Sequence, residues 1–363
     1  MERVKEFIDR YRGRLILISV LIVLIHFSKL NNAVIGIDTE DLIREQRKFY
    51  QGWLGIGRYG LVLLKRLFGG YDEFNPYFTG LMTLVFLIAS IFAFFYLWEK
   101  ASGNAFVSSG NAITDTVCWT AGAVLWASHP VITEQLYFSL QSMEVCFSIL
   151  LTALALLCIL KYQECGQSIR RRLLLPAACL LLLVSFSTYQ SFVELYIFGT
   201  VSVVLLKALV MLLSEDNETS AVRLVRILFP YIAVFIVTFV GNMISTRLFF
   251  AGSSYLTKQI EWGNAPVSDI IASILKQAAK TLTGVGFVHY DFTFGILTIF
   301  TLGLILTLLL RHGRRKKGSF GMLLFLSAAL VVSPYLLLII CGGNVVVRSQ
   351  LALPALTGFY AYT

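Results

Sequence analysis

Long apolar runs alternate along this chain with short basic ones. The apolar runs cover about residues 15–30, 75–98, 112–128, 135–160, 173–186, 189–213, 227–245, 292–310 and 320–340. A helix that crosses a bilayer needs about 20 predominantly apolar residues, so the pattern predicts roughly nine transmembrane helices. The fifth and sixth runs nearly touch and predict a tight hairpin. Basic residues cluster beside the runs. Arg3, Lys5, Arg10, Arg12 and Arg14 precede the first, and Lys161, Arg170, Arg171 and Arg172 follow the fourth. Arg223 and Arg226 precede the seventh, and Arg311, Arg314, Arg315, Lys316 and Lys317 follow the eighth. Alternating the spans from a cytoplasmic amino terminus puts every one of these clusters on the cytoplasmic side, which is the loop bias that sets topology.

Two longer polar segments, about 31–74 and 246–290, then fall on the outer side with the carboxyl tail. They hold Trp53 and Trp262, where aromatic interface anchors are expected. Within them, residues 41–50, 61–68 and 266–282 mix apolar and charged positions at helical spacing. In the last, Ile270, Ile271, Ile274, Leu275 and Leu282 fit one face. Such stretches suit helices lying in the membrane surface or packed on the protein's own outer face. Residues 351–363 read as the start of another span, so the natural end of the protein is expected beyond them. The expected fold is an all-α polytopic bundle forming a single domain over residues 1–363, with interfacial helices in the outer loops. No repeat and no pair of broken helices is visible.

Composition agrees with lipid as the solvent: 57% of residues are hydrophobic and 14% charged, more apolar surface than a soluble domain hides. The net charge of +9 is scattered between spans, which argues for membrane topology and against a nucleic-acid partner. Six cysteines, Cys118, Cys146, Cys158, Cys165, Cys179 and Cys341, form no CxxC pair and read as small buried hydrophobes. No small-residue cleavage site follows the first run, so no cleavable leader is expected. His129 and His289 have no partner at ligand spacing, and no metal is expected.

An ionisable group in the bilayer costs about 2.5–3.5 kcal/mol, so its placement carries information. Glu134, Glu144 and Glu194 fall toward the outer ends of the fourth and sixth spans, with Gln135, Gln141, Tyr189 and Gln190 at the same level. That concentration predicts an outward-facing polar cavity; the alternative is side chains reaching to the interface. Just after the first span come Asp38, Glu40 and Asp41. A carboxylate there could act as a general base, cap a helix through Asp38 or Thr39, or lie in a solvated charge run.

The acidic patch is followed by Gly57-Arg58-Tyr59-Gly60 and Asn75-Pro76-Tyr77-Phe78. His129-Pro130 with Glu134, Gln141-Ser142-Met143, Thr188-Tyr189-Gln190, Val347-Arg348 and Leu353-Pro354 come next. In this order the motifs resemble the bacterial glucosyltransferases of the GtrII type, which modify O-antigen. Two positions depart from the family's pattern: Gln141, where the family often carries an acid, and Tyr59, where Trp is expected. The resemblance implies a GT-C membrane transferase that moves a hexose, glucose, from a polyprenyl-phosphate donor to a cell-surface glycan. The work would take place at the outer face of the bacterial inner or plasma membrane, with membrane lipids as surroundings and no cofactor. It implies Asp38, or else Glu40 or Asp41, as catalytic base. Arg58 and Arg348 are the candidates to hold the phosphate, with Arg247, Lys258 and His289 in reserve. Glu134, Tyr189, Gln190 and Glu194 complete the candidate substrate site. The chain holds neither a Gly-rich nucleotide loop nor a soluble domain for a nucleotide sugar. A lipid-linked-sugar flippase or transporter, a polysaccharide polymerase and a membrane scaffold are the rival readings. Asn217-Glu218-Thr219 matches a glycosylation sequon but falls on the cytoplasmic side of this topology.

Overall fold

The computed structural model describes residues 2–32, 37–103, 112–165, 169–213, 221–249, 260–284, 292–312, 317–343 and 345–362. The described chain is helical, as the pattern of runs predicts, and contains no strand. In order the helices are α1 (Glu2–Ile25), α2 (Phe27–Asn31), α3 (Ile37–Gly55), α4 (Tyr59–Leu67), α5 (Pro76–Ser102), α6 (Ala112–Ala127), α7 (Pro130–Tyr137) and α8 (Ser139–Glu164). There follow α9 (Ile169–Thr188), α10 (Phe192–Leu213), α11 (Ala221–Phe249), α12 (Val267–Thr283), α13 (Thr293–His312), α14 (Lys317–Val332), α15 (Leu336–Cys341) and α16 (Ala352–Tyr362).

Among the described residues, six stretches are long and apolar enough to cross a membrane: Pro76–Ser102, Ser139–Glu164, Arg171–Thr188, Phe192–Leu212, Val222–Phe249 and Gly321–Cys341. The protein is an integral membrane protein. In α8 and α10, 72% and 78% of the apolar window is buried within the protein, against 28% in α11. The first two therefore form the centre of the bundle, and α11 turns its apolar face to lipid.

Helices in lipid gain little from burying apolar surface, so close packing and polar contacts hold them together. Thr83 on α5 shares a 2.9 Å hydrogen bond with Ser142 on α8, and the Ser90 hydroxyl donates to the Cys146 carbonyl. The Trp98 indole donates to Ser202, and Ser185 to the Ser148 carbonyl. These bonds tie α5, α8, α9 and α10 together. Small residues let α16 press on α6: a Cβ on Gly122 would lie 2.8 Å from the Gly358 carbonyl oxygen. Within the stretch 351–363, read from sequence as a new span beginning, α16 (Ala352–Tyr362) is a buried core helix among Trp98, Trp119 and Phe198.

Several boundaries differ from the expected ones for local reasons. The fourth span starts at Ser139, because Phe138 leaves helical geometry and separates α7 from α8. Gln135 thus belongs to α7. The ninth run is broken at Ser333–Tyr335, a short 3-10 turn, since Pro334 cannot donate to the helix ladder. Trp53 is a core residue of the α3–α4 pair and not an interface anchor; it packs with Leu42, Tyr50, Leu61, Val62 and Leu140. Trp262 is half exposed, with its indole donating to the Ile339 carbonyl. In α12 the expected single face divides: Ile270 is buried and Ile274 and Leu282 pack inward, while Ile271 and Leu275 are exposed. Of the cysteines, Cys146 is buried and Cys165 exposed.

Candidate active site

The outer-segment motifs begin as ordinary helix punctuation. Gly57, at φ +80°, turns the chain between α3 and α4, a conformation that favours glycine. Gly60 packs so closely on α9 that a Cβ would lie 2.6 Å from the Val184 carbonyl oxygen. Asn75 caps α5, its side chain accepting from the Tyr77 and Phe78 amides at 3.1 and 3.0 Å ahead of Pro76. His129 caps α7 in the same way, its Nδ1 accepting from the Val131 amide at 3.2 Å. That role gives the buried imidazole a structural partner. Among the described residues no three His, Cys, Asp or Glu side chains are grouped to hold one. His289, Lys258 and the sequon at 217–219 lie outside the described residues.

The residues that remain converge on the start of α8. Arg58 lies at the N-terminus of α4, over the face of Tyr189 with its guanidinium carbon 4.7 Å from the ring centroid. It donates to the Gln141 carboxamide oxygen at 3.3 Å. Gln190 donates to the Ile56 carbonyl at 3.0 Å, fastening the α9–α10 turn to the loop that presents Arg58. One turn further along α8, Glu144 accepts from Lys65 at 3.1 Å; their side chains are 0% and 2% exposed. Lys29, at the end of α2, donates to Ser139 at 2.9 Å. From the other flank Arg348 pairs with Glu134 at 3.5 Å and lies over Phe138 at 4.6 Å. Four cations thus meet the first two turns of α8 with two carboxylates among their partners. Phe138 offers α8 no side-chain cap, so the helix dipole adds positive potential here.

The three carboxylates expected to share a cavity are held separately. Glu134 is partly exposed and bound to Arg348, and Glu144 is sealed against Lys65. Glu194 is buried near the start of α10 beside Leu337. Glu144 and Glu194 therefore do not reach to the interface. Gln135 is fully buried, and neither polar atom of its carboxamide has a hydrogen-bond partner.

The acidic patch forms the first turns of α3. Asp38 is half-buried, and Glu40 and Asp41 are exposed. Leu42, next in sequence, belongs to the same buried cluster as Leu140 at the start of α8. A groove of about 590 Å³ opens along α3, lined by Asp41, Arg44, Glu45, Lys48, Phe49, Gly52 and Trp53. Trp53 joins groove and cation cluster: Lys65 lies 5.8 Å from its ring centroid. Tyr50 stacks on Tyr71 at 4.3 Å and donates to its carbonyl at 2.9 Å. Burial pushes this phenol up to about 12, so it stays a neutral donor. Tyr59, where Trp was expected, uses its hydroxyl to reach Asn242 on α11 at 2.9 Å. Arg247 is exposed in the last turn of that helix.

The family model described as glucosyl transferase GtrII matches residues 27–362, from α2 through α16. The chain belongs to this family. No curated protein and no solved structure is significantly similar to it. Membership makes this GtrII protein a membrane glucosyltransferase, and so a glycosyltransferase. The matched region begins one residue after His26, whose ring nitrogen bonds the Ala127 carbonyl at 2.7 Å. It contains every member of the cation cluster.

Reading the sequence missed Lys29 and Lys65, yet both left a signal. Tyr11, Leu15, Ile18 and Ile22 follow one another at helical spacing on the buried face of α1, and the buried His26 and Lys29 continue the spacing beyond it. Lys65 follows Leu61 by four positions on the buried face of α4. A cation on an apolar face must have a partner. Only the fold says that the partners are Ser139 and Glu144.

Proposed function

We propose that this GtrII protein transfers glucose from a polyprenyl-phosphate donor to a hydroxyl of a cell-surface glycan at the outer face of the membrane, on a GT-C architecture. The observation that carries the reading is the meeting of Arg58, Lys65, Lys29 and Arg348 at the start of α8. A lipid phosphate leaving group needs fixed positive charge where its own charge develops. Arg58 is preorganised for this by stacking and by its bond to Gln141, and Arg348 by Phe138 and Glu134.

In the proposed reaction the acceptor oxygen attacks the anomeric carbon, forming the new glycosidic bond. The bond from that carbon to the phosphate oxygen breaks, and lipid phosphate departs with the electron pair. The acceptor proton goes to Asp38, with Glu40 and Asp41 as the neighbouring alternatives. Glu134, Tyr189 and Gln190 shape the substrate site, while Glu194, an expected member, is buried beside Leu337. The opposite ends of the helices, carrying Arg10, Arg14, Lys161, Arg171, Arg172, Arg223 and Arg226, support a cytoplasmic amino terminus. On this topology α1, α6 and α13 cross the membrane as well.

The test is transfer in reconstituted vesicles supplied with polyprenyl-phosphate glucose and surface glycan. Asp38→Asn is expected to lower transfer by about 10²–10⁴-fold, the usual worth of a general base, while donor binding is kept. If Asp38→Asn, Glu40→Gln and Asp41→Asn all transfer at the parent rate, the carboxylate base is refuted. In cells, deleting the gene should remove a side-branch glucose from the envelope glycan.

A further inference from the structure

At the far end of α8 a second cavity, of about 970 Å³, lies between α8, α9, α10 and α11. Its basic lining consists of Arg171, Lys207, Arg223 and Arg226, and its apolar lining includes Leu175, Phe229 and Ala233. We propose that this cavity binds the phosphate headgroup of an anionic phospholipid, with the acyl chains lying along α11.

Three features support the assignment. Lys207 sits inside the apolar stretch Val203–Ala208 of α10, and an ionisable group within a membrane helix marks a functional site by default. Its ammonium donates to the Gln163 carboxamide oxygen at 3.2 Å, and Gln163 in turn donates to the Ile227 carbonyl at 2.6 Å. Gln163 is thereby spread between α10 and α11 and holds the cavity's back wall. Pro230 lies one turn beyond in α11, where it removes a ladder hydrogen bond and opens the helix locally.

Charge is the second feature. Glu164 is the acid that acts electrostatically on Lys207, and Arg223 the base; Glu164 is not among the cavity's lining residues. The lining is therefore net basic. Arg171 also lies over the Tyr162 ring at 4.5 Å, which holds its guanidinium against the cavity wall.

The third feature is what surrounds the charge. Leu173, Val222, Val225, Phe229, Ile232 and Ile236 are exposed apolar side chains on α9 and α11. A cavity with a cationic head and a continuous greasy flank matches an anionic lipid better than a soluble phosphate. Basic pockets between membrane helices recognise such headgroups. The proposal concerns the end of the bundle away from the candidate active site and does not rest on the transferase reading.

The experiment uses the full chain in detergent, with phosphatidylglycerol, phosphatidylcholine and inorganic phosphate as probes. Binding is read by native mass spectrometry and thermal shift. Phosphatidylglycerol is expected to bind and raise Tm, and phosphatidylcholine to do neither. The double variant Arg223→Gln/Arg226→Gln should weaken phosphatidylglycerol about 20–30-fold, roughly fivefold for each charge near the membrane surface. Lys161→Gln/Arg172→Gln removes the same charge from exposed positions outside the cavity and should leave binding within about threefold. All four positions are exposed, and Tm without lipid checks that each variant folds. Equal binding by the two double variants would overturn the site. Protection by inorganic phosphate alone, matching that by the lipid, would overturn the lipid as its occupant.

Discussion

The two ends of α8 both gather positive charge, and they treat it in opposite ways. At the first turns Lys65 is sealed against Glu144, Arg58 is clamped between Tyr189 and Gln141, and Arg348 is held by Glu134 and Phe138. At the last turn Arg223 and Arg226 are exposed along a cavity whose lining is basic. Burial separates Lys65, 2% exposed, from Arg223 and Arg226, while Arg348, one-third exposed, is held by its partners alone. A desolvated cation must be bound by the protein itself, and is thereby held in position. An exposed cation stays within reach of a lipid headgroup. The first arrangement suits fixed charge stabilisation of a reaction, and the second suits reversible binding.

The contrast can be broken most forcefully at the buried pair. Lys65→Ala or Glu144→Ala leaves one charge buried alone and should cost roughly 3–5 kcal/mol of stability, read as a lowered Tm of the purified protein. Lys65→Met/Glu144→Leu should restore most of it. If the single variants unfold at the parent temperature, the pair is solvated and the contrast fails.

Arg58→Ala should lower transfer about 10²–10³-fold, as loss of a charge-stabilising donor does, with a much smaller change in Tm. Arg58→Lys should recover little, because stacking on Tyr189 and the forked geometry are lost. Equal activity of Arg58→Lys and parent would show that only net charge matters there.

Gly122→Val probes the scaffold that holds both ends apart. The added atoms collide with the Gly358 backbone, with an expected cost of about 1–3 kcal/mol, measured by thermal unfolding. The smallest effect is expected from Arg348→Ala on stability. Its ion pair with Glu134 is about one-third exposed, and such pairs contribute about 0–1 kcal/mol. Transfer should fall in this variant even though Tm hardly moves.

Much of the candidate site was legible before folding. Arg58, Arg348, Glu134, Tyr189 and Gln190 stand out as polar residues at the edges of apolar runs, and all of them take part in contacts at the start of α8. Some motif residues have a structural role: Asn75 and His129 are helix caps, and Gly57 and Gly60 serve a turn and a close approach. Caps and ligands use the same polar residue types, so composition cannot separate them. Glu134, Glu144 and Glu194 looked alike in sequence and fold into three different environments.

Sequence alone determined the membrane class and the all-helical fold, because hydrophobic run length acts locally and lipid imposes the rest, and its ordered motifs determined the family. Tertiary structure decided the pairings: Lys65 with Glu144, Lys29 with Ser139, and Arg58 with both Tyr189 and Gln141. It also decided that α16 lies in the core. These contacts join positions far apart in the chain, and helical periodicity places a side chain on a face without saying which helix that face will meet.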